Sequence, residues 1–173
     1  FGAFLRDQIA EPLGADMFVG LPEGEEARVA EIIAGPGVMD GIQEVLDSAH
    51  PNAWENPTIR PVEPNTRDWR AAEIPGANGQ ATAKALALIY GDLVSGASKL
   101  LGPQALHAAT RVRFDGVDAA HGGEVAYGAG FGLMQQGARA GSFGHSGWGG
   151  SFGFADPTAG FGMGFVTNHM LGF

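Results

Sequence analysis

Residues 141–169 of this chain read GSFGHSGWGGSFGFADPTAGFGMGFVTNH, a stretch rich in glycine. The pattern predicts two strands around a short turn, with His145, Ser146 and Trp148 grouped at the start of the first strand. Glycine inside a strand lowers stability, so its repetition indicates that another group approaches the backbone closely. Two explanations follow from these residues: the edge of an active site, or a thin strand packed under a helix.

Outside this stretch the sequence predicts helices first and strands later. The predicted helices are 1–13, one or two turns within 25–33, 39–46, 80–95 and a segment after Pro103, with a short strand at 16–21 and an irregular loop at 51–66. Alternating apolar residues after Thr110 predict strands at 111–114 and 125–134 and in the glycine-rich segments, with a hairpin turn at 156–160. This order implies an α+β fold, in which helices pack against an antiparallel sheet.

Composition restricts the class of protein. The chain has 173 residues, of which 45% are hydrophobic and 17% are charged, as in a globular domain. No apolar run reaches the roughly 18–20 residues of a membrane span, and no signal segment opens the chain. Phe1 falls within a helical pattern, so we expect the true N-terminus to lie upstream. The sequence contains no cysteine, which excludes disulfides and thiolate metal sites and is typical of a cytoplasmic protein.

The net charge of −9 is unevenly distributed. Residues 1–75 hold fourteen acidic and five basic side chains, whereas residues 76–173 hold five of each. The acidic half is interpreted as a solvated surface. Because no basic patch is present to neutralise phosphates, nucleic acid is excluded as a partner.

The residues around three further motifs argue against a function for them. Gly149–Gly153 matches Gly-x-Ser-x-Gly, but a nucleophile elbow needs a helix after the serine, and a strand is predicted there. A phosphate-binding glycine loop should also open a helix. The five histidines, at 50, 107, 121, 145 and 169, form no metal-ligand pair. What remains is the strand edge at His145–Trp148, whose amides would stabilise an oxyanion and whose Gly147 would let a substrate lie against the strand.

The segment Gly144–Pro157 (GHSGWGGSFGFADP) resembles the third-motif region of the β-lactamase-related serine hydrolases. This family includes class C β-lactamases, penicillin-binding proteins and the esterases of lipolytic family VIII. The similarity extends to YGAGFGL at 127–133, ANG at 77–79, FLR at 4–6 and EPLG at 11–14. The family VIII esterases are most similar, because they often have His-x-Gly where β-lactamases have Lys-Thr-Gly. The resemblance implies a serine β-lactamase-like fold.

In this family the nucleophile and its lysine lie in Ser-x-x-Lys, a tyrosine lies in Tyr-x-Asn, and the third motif faces them from the sheet edge. Only the third motif carries over, onto His145, Ser146 and Gly147, with the amide of Trp148 as the second oxyanion-hole donor. The resemblance implies that His145 orients or polarises the substrate carbonyl or the tyrosine. Ser146 would add a hydrogen bond near the carboxyl or leaving group, and Trp148 an apolar wall.

An alternative alignment places Trp148-Gly149-Gly150 on the Trp-x-Gly variant that some of these esterases carry. We prefer the alignment on His145, since it keeps the family's distance to Asp156-Pro157. We expect one segment, 1–173, with 1–110 mainly helix and loop and 111–173 antiparallel strands that carry the third-motif edge.

The family's other two motifs are missing from this sequence. The six serines, at 48, 95, 98, 142, 146 and 151, all lack a lysine three residues later, and neither Tyr90 nor Tyr127 begins Tyr-x-Asn. In the family these motifs lie upstream of such a segment, and a helix that packs on the sheet follows it. We therefore expect an internal and C-terminal portion of the fold, which lacks the N-terminal strands, the nucleophile helix and the C-terminal helix.

The resemblance implies hydrolysis of a small ester or amide through an acyl-enzyme, without cofactor or metal. Esterase activity is favoured over β-lactamase activity, because His145 replaces the lysine that suits a carboxylate-bearing substrate. A β-lactam or D-amino-peptide hydrolase, and a non-catalytic binding module of the same fold, remain alternatives. A half-covered sheet would also self-associate or bind a complementing chain.

Overall fold

The computed structural model describes residues 1–38, 63–119 and 123–171. Its helices are α1 (Gly2–Leu5), a π-helical turn (Arg6–Ala10), α2 (Glu11–Leu13), α3 (Arg67–Ala71), α4 (Ala83–Leu93) and α5 (Pro103–Thr110), with 3-10 turns at Glu23–Arg28, Glu63–Asn65 and Gly137–Arg139. Its strands are β1 (Met17–Phe18), β2 (Gln80–Ala81), β3 (Phe114–Val117), β4 (Glu124–Tyr127), β5 (Gly132–Leu133), β6 (Phe143–Ser146), β7 (Phe152–Asp156) and β8 (Phe161–Phe165).

The sheet is a meander. Strands β3 to β8 form one antiparallel sheet in chain order, and β1 pairs with β2 in a separate two-stranded sheet. Because each strand of the large sheet pairs with the next one in sequence, short turns are enough to connect them. The predicted α+β fold, with helices against an antiparallel sheet, is confirmed.

The N-terminal helix ends where the sequence predicts. A π-helical turn precedes Pro12, which has no N–H to donate to the turn before it. Gly14 then closes α2 in the left-handed conformation, with φ at 61°. Leu5 and Ala10 are buried, whereas Phe4, which belongs to the predicted apolar face, is 60% exposed.

Helix α4 lies directly on the glycines of β7 and β8. A Cβ atom added at Gly162 would meet the backbone of Tyr90, and one at Gly164 would meet the carbonyl of Ala83. One added at Gly153 would meet the Tyr90 ring. These three glycines therefore fit the second explanation offered by the sequence, in which a thin strand packs under a helix.

The core lies between α4 and the sheet. Leu93, Phe143 and Ala155 are buried there, at 6%, 2% and 0% exposure. Partly buried side chains surround them, from Tyr90, Val94, Leu100, Leu101, Leu106, Phe131 and Leu133. The predicted helix after Pro103 contributes Leu106 to this group, as expected from its spacing.

The strand boundaries depart from the prediction in three places. Strand β3 begins at Phe114, where the predicted strand 111–114 ends. The predicted strand 125–134 is divided into β4 and β5, because the chain turns at Gly130, whose φ is 92°. The glycine-rich stretch contains three strands instead of two, since the chain also reverses at 147–150.

The helices and strands before β3 also differ from the sequence prediction. The predicted helix 80–95 begins only at Ala83, because Gln80–Ala81 pairs with β1, and the Thr82 hydroxyl caps the helix by accepting from the Ala85 amide at 3.1 Å. Gly96 has the predicted left-handed conformation, with φ at 78°.

The predicted helix 39–46 and most of the predicted loop 51–66 lie outside the described residues. Within the described ranges, no helix is long and apolar enough to cross a membrane.

An ion-pair network connects the 3-10 turn Glu23–Arg28 to α3. The Glu26 carboxylate accepts hydrogen bonds from Arg70 at 2.8 Å and from Arg67 at 2.9 Å. Arg70 is 9% exposed, and its Nε also donates to the Pro64 carbonyl at 3.0 Å. The hydrogen bond from Arg70, assisted by Arg67, lowers the pKa of Glu26 below its ordinary value although burial acts in the opposite direction.

Glu26→Gln is expected to destabilise the fold at neutral pH and less so in acid. Because the folded-state pKa of Glu26 is depressed, its ionised form stabilises the fold above the unfolded pKa of about 4.3, and this contribution is lost as pH falls through the folded pKa. Urea unfolding between pH 3 and 7 should show a stability difference that closes toward pH 3. Glu31→Gln is the control, and an E26Q difference that is constant with pH would contradict the assignment.

Candidate active site

All four residues that the sequence predicts for the site lie on the β6–β7 hairpin. His145 and Ser146 end β6, and residues 147–150 form the turn. The Gly150 amide donates to the Gly147 carbonyl at 3.1 Å, which closes the turn. Gly149, the third residue of the turn, has φ at 93°, as a type II turn requires, and this favours glycine.

The backbone N–H of Trp148 has no hydrogen-bond partner among the described residues. Trp148 is the second residue of the turn, and within the described ranges no backbone carbonyl accepts a hydrogen bond from its amide. The amides on either side behave differently, since Gly147 donates to the Ser151 carbonyl at 2.6 Å and Gly150 closes the turn. A free amide held by paired neighbours is suited to stabilise negative charge on an oxygen atom.

His145 and Ser146 lie on opposite faces of the sheet, because successive side chains of a strand alternate. His145 pairs with Gly153, which faces α4. Ser146 pairs with Phe152, whose ring stacks at 5.4 Å from that of Phe165 on the other face. Both predicted site residues are exposed, so each is accessible from its own side of the strand.

The edge of β6 is open at the predicted site. Strand β5 pairs with β6 only through Gly132↔Gly144 and Leu133↔Phe143. Beyond Gly144, the side of β6 that faces away from β7 has no partner strand in the described part of the chain. The strand edge expected from the sequence is therefore present at His145 and Ser146.

A groove of about 780 Å³ is lined by residues of β3 to β7, among them Ser146 and Phe154. Gln135, Gln136 and Arg139 also line it, and the Arg139 guanidinium lies 4.9 Å from the centre of the Phe154 ring. The groove thus combines aromatic and polar side chains, as ligand-binding clefts commonly do.

Ser151 has a structural role. Its Oγ accepts a hydrogen bond from the Thr167 amide at 3.1 Å, and the strand β7 follows it directly. The Gly-x-Ser-x-Gly match therefore lacks the strand–turn–helix geometry of a nucleophile elbow, as the sequence indicated.

Tyr90 approaches the same strand from α4 as a packing residue. Its ring lies on Gly153 and meets Phe131 edge-on, with 6.5 Å between ring centres. Burial raises the pKa of its phenol. These contacts agree with the sequence observation that Tyr90 does not begin the family's Tyr-x-Asn motif.

The sequence interpretation missed the residues that support the turn from beneath. The Leu171 amide donates to the Gly149 carbonyl at 3.1 Å. Met170 is 6% exposed, and its Cε would lie 3.1 Å from a Cβ placed on Gly149. No local sequence pattern marks Met170 and Leu171 as supports of the turn, because Met170 is itself held by Ile33, which is distant in sequence.

Comparison with known proteins agrees with the fold. The β-lactamase family model matches residues 1–172. A curated relative, the esterase/β-lactamase LipL of Mycobacterium tuberculosis, is 31% identical over 96% of this chain and 42% of its own length. The chain thus spans less than half the length of this relative.

Solved structures show the same similarity. A family VIII carboxylesterase matches 99% of this chain with a TM-score of 0.86 and 35% identity, over 47% of its own length. A penicillin-binding protein homologue from Caulobacter crescentus matches 98% with a TM-score of 0.80 and 37% identity, again over 47% of its length. EstA of Arthrobacter nitroguajacolicus matches 98% with a TM-score of 0.82 and 27% identity, over 48% of its length. With a serine β-lactamase-like fold and a match along nearly its whole length, this chain belongs to the β-lactamase family.

Proposed function

We propose that this chain forms the third-motif wall of a carboxylesterase-like serine hydrolase, and that the nucleophile is supplied by a segment outside these 173 residues. The observation that carries the proposal is the Trp148 amide, which has no partner among the described residues and lies in the turn that follows His145 and Ser146 on β6. Similarity to a family VIII carboxylesterase and to an esterase/β-lactamase supports the ester as substrate class.

In the proposed reaction a serine oxygen attacks the ester carbonyl carbon, and the carbonyl electrons move to its oxygen. The Trp148 amide donates to that oxyanion, and His145 polarises the carbonyl or orients the group that takes the serine proton. The alcohol leaves with a proton, and water then attacks the acyl-enzyme to release a carboxylic acid. Ser146, on the other face of β6, would contact the leaving-group side around the open strand edge, and Gly147, at the start of the turn, lets the substrate approach the backbone.

The test protein is a longer polypeptide in which an N-terminal segment that carries Ser-x-x-Lys precedes this chain; we call it the joined polypeptide. In it, His145→Ala is expected to lower kcat about 100-fold, because a polarising group in contact with the reacting carbonyl is lost. Hydrolysis of p-nitrophenyl butyrate measures the effect, and circular dichroism checks that folding is retained. His107→Ala, on α5 away from the hairpin, is the matched control.

An unchanged kcat/KM in H145A would remove His145 from the site. Absence of turnover in the joined wild-type polypeptide would instead favour the second candidate, a non-catalytic binding module. The missing Ser-x-x-Lys in this sequence is the observation that keeps this candidate open.

We also propose that the isolated 173-residue chain self-associates through β8. This strand is an edge of the described sheet, and Phe161, Met163 and Phe165 on it are 43%, 39% and 41% exposed. It carries no charge and no proline, the features that usually protect edge strands. Light scattering should give a mass that rises with concentration, and Met163→Lys should reduce it. A monomer at all concentrations would contradict this proposal.

A further inference from the structure

The turn at Gly147–Gly150 rests on the last described residues of the chain. Met170 packs beneath it: a Cβ on Gly149 would lie 3.1 to 3.4 Å from three atoms of the Met170 side chain. Leu171 holds the turn at two points, through its amide to the Gly149 carbonyl at 3.1 Å and through its side chain beside Gly150. The carbonyl that Leu171 binds belongs to the residue directly after Trp148.

Met170 is in turn fixed by a distant segment. Its amide donates to the Ile33 carbonyl at 2.8 Å, and the Ile33 amide donates to the Asn168 carbonyl at 2.7 Å, so the two segments pair in parallel. The side chain of Asn168 also donates to the Glu31 carbonyl at 2.9 Å. We call residues 31–35 the strap.

The strap is itself held from its other side. Asn65 binds Ile32 twice, accepting from its amide at 2.7 Å and donating to its carbonyl at 2.9 Å. Side-chain amides that pair with both backbone groups of a residue replace a neighbouring strand. Residues 168–170 are thereby connected, through the strap, to the 3-10 turn Glu63–Asn65, which does not belong to the large sheet.

We propose that Met170 is a positioning residue for the oxyanion donor of this site: packed under Gly149 and anchored by the strap, it fixes the direction of the Trp148 amide. The proposal rests on the function proposed above. The turn has no side chains of its own at Gly147, Gly149 and Gly150 to resist rotation, so its orientation depends on what lies below it. A donor must lie within about 0.5 Å of its productive position to act on the transition state.

The activity test compares Met170→Ala with Met170→Leu in the polypeptide that joins this chain to a Ser-x-x-Lys segment. Loss of a whole oxyanion donor lowers kcat roughly 10²–10³-fold, and for a donor that is only displaced we expect a fall of about 10-fold. KM should stay within about twofold, since ground-state contacts of the substrate are unchanged. M170L should restore kcat because it refills the space under Gly149, and Val112→Ala, at an exposed position between α5 and β3, should leave kcat unchanged.

A second measurement needs no activity. Hydrogen exchange of the Gly147 and Gly150 amides in the 173-residue chain should be faster in M170A than in the wild type or in M170L, while exchange in β3 and β4 stays the same. If M170A does not fold, Met170→Val, which shortens the side chain, replaces it in both measurements.

The outcomes separate the two proposals. Equal kcat in M170A and wild type, or unchanged exchange at the turn, would overturn the role of Met170 and leave the proposed function intact. A joined wild-type polypeptide without turnover would overturn the proposed function, and turn exchange would then decide alone whether Met170 holds the turn. Parallel changes of kcat, KM and exchange in β3 and β4 would show a general structural role and would also overturn the inference.

Discussion

Replacing Gly162 with alanine is expected to lower the free energy of unfolding by about 3 kcal/mol, because the new methyl group would meet backbone atoms of α4. Backbone cannot rotate away as the end of a flexible side chain can, so the helix itself must move off the sheet. That movement would also separate Leu93 from Phe143 in the core. The corresponding decrease in Tm is roughly 6–12 °C for a chain of this size.

Gly24→Ala is the matched control for this substitution. Nothing lies within 4 Å of a Cβ at Gly24, so the change should stay within about 0.5 kcal/mol. Thermal unfolding followed by circular dichroism measures both variants. Equal Tm values for the two variants would contradict the close packing of α4 on β8.

The glycine-rich stretch shows how far the sequence alone leads. Repeated glycine correctly indicates close approach to the backbone, and the strand pattern correctly excludes a phosphate loop and a nucleophile elbow. What approaches Gly162 is α4, which the helical pattern places in sequence but not in space. The two explanations could not be separated locally, because the contact joins residues about 70 positions apart.

The turn at 147–150 was missed for a different reason. Adjacent glycines such as Gly149 and Gly150 usually indicate a turn. In a segment where glycine recurs every few residues, however, this pair cannot be distinguished from the glycines within the strands. The strap could not be predicted either, since its hydrogen bonds join Glu31 to Asn168, 137 residues away. Neither residue belongs to a periodic apolar pattern that would mark an element.

The strand pattern and the family resemblance both pointed to the candidate site residues, and the fold places these residues on one hairpin. His145 and Trp148 lie together on one hairpin because their sequence separation is short, which made this part predictable. Their setting was less predictable: strand alternation places His145 and Ser146 on opposite faces, but which of the two faces α4 follows from the register of β6 with β7 and the packing of the whole sheet.

The isolated chain is expected to hydrolyse no ester. Acyl transfer in this family needs a serine with a lysine three residues later, and none of the six serines meets this condition. Two of the described serines have structural roles: the Ser151 hydroxyl accepts from the Thr167 amide, and the Ser98 hydroxyl donates to Asp92 at 2.6 Å. An oxyanion donor without a nucleophile can bind a carbonyl oxygen but cannot form an acyl-enzyme. Incubation with p-nitrophenyl butyrate should therefore show no burst and a rate equal to buffer.

Fluorophosphonate labelling followed by intact-mass and peptide analysis shows directly whether the nucleophile lies outside this chain, because the reagent reacts with activated serines whatever the acyl specificity. We expect no adduct on the 173-residue chain, and one adduct, on the serine of Ser-x-x-Lys, when that segment is joined to it. An adduct on Ser146, Ser151 or any other serine of this chain would contradict this expectation.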